Sequence, residues 1–443
     1  MFEEKQTPRL RRWQALTVAL LVFGYAGYYL CRSNFSVALP LIIDDLVANG
    51  WDANEAKVRL GALASIGVFA YAIGKFLSGG LTDLLGGRRA FLLGSVGAIG
   101  CTALFALGGG LPIFTLAWAL NRLLQSTGWP GAVKLTSRWF SFSSYGAAMG
   151  VVSLSYLFGD AASRSFMGWL IAHGAGWRGV FFAAAGVMLI IFLANLLLLK
   201  ESPREIGEAE PPANPLNLVA GYEGPAKMAL KSALMAFLRS PAFWIVCLLS
   251  LGTTLLRETF NTWTPTYFTE VVGLSKAEAA SKSALFPFFG GVSVLLAGFI
   301  SDKLGRNGRA LIILIGLLLS SAGLWLLGHA QFGGSPALPI WPVWLVASVA
   351  FTLIGPYSYL AGAISLDFGG KQGSATASGI IDGVGYLGGV LAGDTVARVS
   401  VNFGWQGAFT ALAGVALLSS LAAALFLIEQ RRSAKTKFEM EAA

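Results

Sequence analysis

The sequence predicts an all-α membrane protein with twelve transmembrane helices in two pseudo-symmetric six-helix bundles. Three observations carry this: an apolar composition, long apolar runs at even intervals, and motifs that recur half a chain apart. Of 443 residues, 55% are hydrophobic and 12% charged, and the mean hydropathy is +0.66. A soluble chain carries roughly twice that share of charge.

A helix needs about 20 apolar residues to cross the hydrocarbon. Such segments begin near Ala15, Gly61, Ala90, Phe114, Ala147 and Val180, and again near Ala242, Ala284, Ala310, Val343, Ala375 and Gly407. An even number puts both ends of the chain on one side. Lys5, Arg9, Arg11 and Arg12 precede the first span, and Arg431, Arg432, Lys435 and Lys437 follow the last. By the positive-inside rule both termini are expected in the cytoplasm. Arg88, Arg89, Arg138, Lys227, Lys231, Arg239, Lys303, Arg306, Arg309 and Lys371 fall in alternate loops of the same side, whereas Asp44, Asp45, Asp52 and Glu55 lie in the first outer loop. The net charge of +9 is thus distributed by topology and not gathered on a nucleic-acid-binding face. Cys31, Cys101 and Cys247 all sit in apolar runs, as small packing residues do. The basic start runs straight into a long span with no cleavage site behind a short apolar region, so the first helix is expected to stay, and the short basic N-terminus without a transit segment points to a bacterial inner membrane.

Residues 201–239 are rich in Glu, Pro, Asn and Lys and read as a cytoplasmic linker between bundles 1–200 and 240–430, with 431–443 as a tail. Gly79-Gly-Leu-Thr-Asp83-Leu-Leu-Gly86-Gly-Arg88-Arg89 recurs as Gly298-Phe-Ile-Ser-Asp302-Lys303-Leu-Gly305-Arg306, and Gly176-Trp-Arg-Gly-Val-Phe as Gly404-Trp-Gln-Gly-Ala-Phe. Duplication with a midplane site is a transporter pattern. The first pair resembles the cytoplasmic loops after the second and eighth spans of major facilitator transporters. An Asp at a helix end facing Arg or Lys there can hold neighbouring helices and release them when the halves rock. In the first copy Leu84 stands where a basic residue is expected, which weakens the charge clamp.

Charges inside the runs point to the substrate. Arg32 interrupts the first span and Arg257 the seventh, at equivalent places. Each costs about 2.5–3.5 kcal/mol to insert, and two at matched positions are expected to face a shared aqueous cavity. Two guanidiniums suit a dianion, and their planar forks match phosphate oxygens. Lys75 adds a third cation or snorkels to the surface. Tyr25, Tyr28 and Tyr29 lie within two turns of Arg32, and Tyr71 one turn before Lys75; their hydroxyls could bind phosphate or sugar, or the rings could pack or sit in an aromatic belt.

Phe23-Gly-Tyr-Ala-Gly-Tyr-Tyr-Leu-Cys-Arg32-Ser-Asn-Phe resembles the first span of the organophosphate:phosphate antiporters, and the likeness continues through Tyr71-Ala-Ile-Gly-Lys75-Phe, Gln125-Ser-Thr-Gly-Trp-Pro130, Leu255-Leu-Arg257, Trp263-Thr-Pro-Thr-Tyr267, Gly355-Pro356 and Gly385-Tyr-Leu-Gly-Gly389. The resemblance implies that Arg32 and Arg257 bind phosphate, that Lys75, Tyr29 and Tyr71 line the cavity, and that exchange runs by alternating access in a monomer without a cofactor. Bacterial glycerol-phosphate and hexose-phosphate members carry a His on the fifth span where this chain has Gly159 or Asp160, and a carboxylate on the eighth where it has Pro287. Ser378-Gly-Ile-Ile-Asp382-Gly looks closer to eukaryotic-type sugar-phosphate exchangers. Glucose 6-phosphate is the expected ester, with glycerol 3-phosphate next.

Asp160 with Arg164, and Asp394 with Arg398, are i,i+4 pairs that can neutralise each other, although Asp160 also counts as a candidate cavity residue. Asp382, flanked by small and apolar residues, could bind a substrate hydroxyl, pair with a cavity cation or take a proton. Gly383-Val-Gly385-Tyr-Leu-Gly388 fits a dinucleotide fingerprint but lies in an apolar run without a preceding strand, so close helix packing explains it. His173 and His329 fall near outer helix ends, with no P-loop or Cys/His cluster, and no enzyme or metal site is expected. A proton-coupled organic-anion symporter and a transporter-like sensor are the other functions that the residues allow.

Overall fold

A computed structural model describes residues 7–211, 235, 237–329 and 341–442. Among these the secondary structure is helical: α1 (Pro8–Ala48), α2 (Ala53–Leu85), α3 (Gly87–Leu107), α4 (Leu111–Gln125), α5 (Gly128–Trp139), α6 (Phe142–Ala172), α7 (Trp177–Leu198), α8 (Pro241–Glu270), α9 (Lys276–Ser283), α10 (Leu285–His329), α11 (Trp341–Tyr359), α12 (Ser365–Leu391) and α13 (Asp394–Ala442). In hydrocarbon every backbone N–H and C=O must be satisfied within its own segment, which the helix achieves.

Nine helical stretches among the described residues are long and apolar enough to cross a membrane. The expected fourth span is divided at Ser126–Thr127 into α4 and α5. The stretch 377–432 holds both of the last two expected segments; Gly404, at φ +68°, breaks it. A left-handed backbone is open to glycine at little cost, so the chain turns there between two apolar runs.

The chain divides into two compact units, Met1–Leu41 with Ile66–Ala220, and Ile42–Ser65 with Gly221–Ala443. In the first, α3 packs against α4, α5 and α7, and α1 contributes Leu21, Tyr25, Tyr28 and Cys31 to a core shared with Phe91, Ala132, Leu135 and Met188. Tyr28 donates to the Phe91 carbonyl at 2.5 Å. A Cβ on Gly94 would come within 2.4 Å of the Tyr28 hydroxyl, so α3 needs glycine there to admit the ring.

In the second unit α8 packs on α12 and α13, and α10 on α11 and α13, around Phe260, Tyr267, Phe286 and Phe409. Residues 42–65 belong to this unit, a grouping that a division into bundles 1–200 and 240–430 does not capture. Polar and small residues explain it. Buried Lys57 pairs with Glu270 at 2.6 Å, Lys276 pairs with Asp44, and Ser65 donates to the Val390 carbonyl at 2.5 Å while accepting from the Asp394 N–H at 2.9 Å.

Candidate substrate-binding site

In the first unit, a three-residue step on α1 places Tyr29 and Arg32 on one helix face. Arg32 Nε donates to Gln125 Oε1 at 3.1 Å, and Nη1 to the Tyr29 hydroxyl at 3.3 Å. Its guanidinium carbon lies 4.8 Å from the Tyr29 ring centroid and 4.7 Å from that of Tyr71 on α2. Lys75, one turn beyond Tyr71, has Nζ 5.4 Å from the same ring. Arg122 of α4, buried, brings its guanidinium carbon to 4.8 Å from it. Three cations therefore surround one tyrosine, whose negative π face offsets part of their mutual repulsion.

Gln125 fixes this cluster to the helices behind it. Its Nε2 donates to the Cys31 carbonyl at 3.1 Å and to Asn121 Oδ1 at 2.6 Å, and Asn121 Nδ2 donates to Thr102 Oγ1 at 3.0 Å. Because the amide is held from both sides, its carbonyl oxygen is aimed at Arg32 before any ligand arrives. Tyr25 lies behind the cluster, buried against Trp129, Tyr28 and Tyr29 with centroids 5.2, 5.7 and 6.0 Å away.

Asp160 is buried and paired with Arg164 at 2.9 Å on α6, and it also accepts from Ser33 Oγ, next to Arg32 on α1. Asp394 pairs with Arg398 at 2.8 Å in an exposed setting.

In the second unit Arg257 Nη2 donates to Glu258 Oε1 at 2.7 Å and to the Tyr386 hydroxyl of α12 at 3.2 Å. Its guanidinium carbon lies 4.8 Å from the Tyr357 ring of α11. Asn261 Nδ2 donates to Glu258 Oε1 at 3.4 Å. Asp382 is half-buried, one turn before Tyr386 on α12.

At the repeated loops, Glu201 accepts from the backbone N–H groups of Gly87 and Arg88 at 2.9 and 2.7 Å and pairs with Arg138 at 3.0 Å. A carboxylate at the first turn of α3 compensates orphan amides and the positive helix end. Arg88 itself donates to the Leu196 carbonyl at 2.7 Å, and Arg89 and Gly298 are exposed. The side-chain placements of Gly79, Asp83, Asp302, Lys303 and Arg306 lie outside the described residues.

Sequence reading did not single out Arg122, Gln125, Glu258, Tyr357, Tyr386 or Glu201 as functional. Arg122 carried the same signal as Arg32, a charge inside an apolar run. Glu258 is adjacent to Arg257, but only the fold shows the carboxylate turned onto the guanidinium. Among the described residues no group of three or more His, Cys, Asp or Glu could hold a metal ion.

The Major Facilitator Superfamily profile matches residues 21–393. The chain belongs to that superfamily. It is 28% identical over 428 residues to a probable hexose phosphate transport protein of Chlamydia muridarum, covering 92% of this chain and 90% of the relative. It is 26% identical over 429 residues to the membrane sensor protein UhpC of Escherichia coli K12, covering 95% and 94%. Among solved structures, a bacterial homologue of the human lysosomal transporter Spinster, in an inward-facing and unoccupied conformation, aligns at a TM-score of 0.72 and 16% identity over 96% of this chain and 98% of the other, which identifies the fold. The major facilitator fold expected from the repeated loops is thus the fold of this chain, and it is a transporter fold, not that of an enzyme.

Proposed function

We propose that this major facilitator protein is an antiporter that exchanges a phosphorylated metabolite for inorganic phosphate by alternating access. A sugar phosphate such as glucose 6-phosphate is the first substrate to test, and glycerol 3-phosphate the second. The observation that carries the reading is Arg32, held by Gln125 and Tyr29 between two tyrosine rings. A guanidinium fixed in this way inside an apolar span offers its fork to a phosphate without first being ordered. Arg257, contacting Tyr357 and Tyr386, is the corresponding group of the second half. The hexose-phosphate relative supports the choice of ester. The proposal includes twelve spans, six on each side of a linker at 201–239, both termini in the cytoplasm of a bacterial inner membrane, and action as a monomer. Asp382 and Asp160 are retained in it as candidate cavity residues.

The test is exchange in proteoliposomes loaded with labelled inorganic phosphate, with an ester or buffer outside. Efflux is expected only with an ester, and Arg32→Ala or Arg257→Ala should abolish it. Similarity to a sensor favours one second reading, in which esters bind without turnover. Ester binding by the purified chain with no label released would replace the antiporter by that sensor.

A further inference from the structure

We infer that the Ser65 side chain is a removable wedge between α12 and α13, and that its withdrawal frees the outer end of α2 when the two halves rock. The inference rests on the alternating-access reading and assigns part of that motion to particular atoms. α2 is one helix, Ala53–Leu85, yet its residues up to Ser65 group with the second unit and those from Ile66 onward with the first. Motion of one half against the other therefore has to part residues 42–65 from the second unit or deform α2.

Val390 and Asp394 stand four residues apart, the spacing at which a continuous helix joins C=O to N–H. Here the Ser65 hydroxyl stands between them instead, donating to the Val390 carbonyl at 2.5 Å and accepting from the Asp394 N–H at 2.9 Å. A side chain inserted into the hydrogen-bond ladder breaks or kinks a helix, and α12 ends at Leu391 while α13 begins at Asp394. The approach is backbone to backbone: a Cβ on Gly393 would come within 2.3 Å of the Gly61 carbonyl oxygen and 2.5 Å of Ser65 Oγ. Trp263 Nε1 donates to the Ala392 carbonyl at 2.8 Å, so the carbonyl inside the break is held by α8.

This arrangement has two self-consistent states. With Ser65 in place both backbone groups are satisfied through its hydroxyl. With Ser65 withdrawn they are at the spacing to bond each other, so neither is stranded in hydrocarbon, where an unmade backbone bond is costly. Nearer the outer end, the same segment is held by Lys57 with Glu270 at 2.6 Å and by Asp44 with Lys276. The carboxylate of each pair is partly exposed, and water takes its partner's place when the segment lifts. The bonds that hold residues 42–65 to the second unit thus all have a replacement on release.

The experiment uses the full chain in liposomes, with spin labels at Asn54→Cys on the exposed start of α2 and at Asn402→Cys, exposed on α13; the native cysteines are buried. Both labelled positions belong to the second unit, so the distance between them reads the release of residues 42–65 from it. Ser65→Ala removes the wedge, and Gly393→Ala expels it with a methyl. Each should raise the ratio of the longer distance to the shorter by about fivefold, the worth of one helix-cap bond. Half-saturation of exchange by inorganic phosphate added outside should fall by a similar factor, because more of the protein is open to that side, whereas a mere loss of stability would not lower it. A distance distribution unchanged from wild type in either variant overturns the inference, whether or not phosphate is exchanged; if Ser65→Ala does not insert, Gly393→Ala decides alone. Shifted distances without release of labelled phosphate by the wild-type protein leave the wedge standing and remove the antiporter.

Discussion

Replacing Glu270 by Gln removes the charge that faces Lys57 while keeping an oxygen in its place. Lys57 Nζ lies 2.6 Å from Glu270 Oε2, with the lysine side chain 6% exposed and the carboxylate 38%. The same oxygen accepts from Trp405 Nε1 at 2.6 Å, and the ammonium lies 4.5 Å from the Trp405 ring centroid. At an effective dielectric of 20 the gross attraction is about 6 kcal/mol, and stripping one partner from a buried pair costs about 3–5 kcal/mol. The carboxylate is partly open to solvent, which screens it, so the expected loss is about 1–3 kcal/mol. For a chain of 443 residues the melting temperature should fall by about 1–3 °C. A thiol-reactive dye reads this directly, because Cys31, Cys101 and Cys247 are all buried and free. Adding Lys57→Met removes the stranded ammonium, so the double variant should be more stable than Glu270→Gln alone, with a coupling of about 1 kcal/mol or more. Melting of Glu270→Gln at or above the wild-type temperature, or simple additivity in the double variant, refutes the reasoning.

Glu258→Gln weakens the competitor for Arg257, since a charge-assisted hydrogen bond is about twice as strong as a neutral one; half-saturation by external phosphate in the exchange assay should fall by about tenfold. Gln125→Leu removes the oxygen that accepts from Arg32 Nε, and the same assay should show half-saturation raised by about tenfold, the equivalent of one lost charge-assisted bond. Gly388→Ala brings a methyl to 2.2 Å from the Leu251 carbonyl oxygen. The closely packed α8 and α12 must then separate, and thermal melting should report about 1–3 kcal/mol of destabilisation.

The fold was legible because hydrocarbon leaves the backbone few choices: run length and repeats locate the helices before any contact is known. Where the runs are interrupted by polar residues, as at Ser126–Thr127 between α4 and α5, hydropathy alone blurs the boundary. Arg32 and Lys75 were legible as charges in apolar runs, and Arg122, in the run that begins near Phe114, carries the same signal. Gln125, Tyr357 and Tyr386 were not legible as site residues, because uncharged polar residues and tyrosines are common in spans and only their aim distinguishes them. The helix-capping role of Glu201 was hidden for a similar reason. A glutamate at the start of a polar linker looks solvated until the first turn of α3 is placed against it.

Duplication repeated the backbone plan but not the charge. Arg32 on α1 and Arg257 on α8 stand at matched positions, yet one shares its tyrosine with two more cations and the other is tied to a carboxylate. The two arginines are therefore not interchangeable, and substitution by lysine separates them. At position 32 lysine keeps the charge but loses the Nε donor to Gln125 and the planar group between Tyr29 and Tyr71, so neither of the fork's fixed directions survives. At position 257 the principal partner is an anion, which an ammonium can still satisfy as a point charge. Arg32→Lys should thus lower phosphate exchange by about tenfold or more, and Arg257→Lys by distinctly less. Equal losses at the two sites, measured in the same liposomes, would mean that charge alone matters and that the tyrosine and glutamine scaffold around Arg32 has no part in binding.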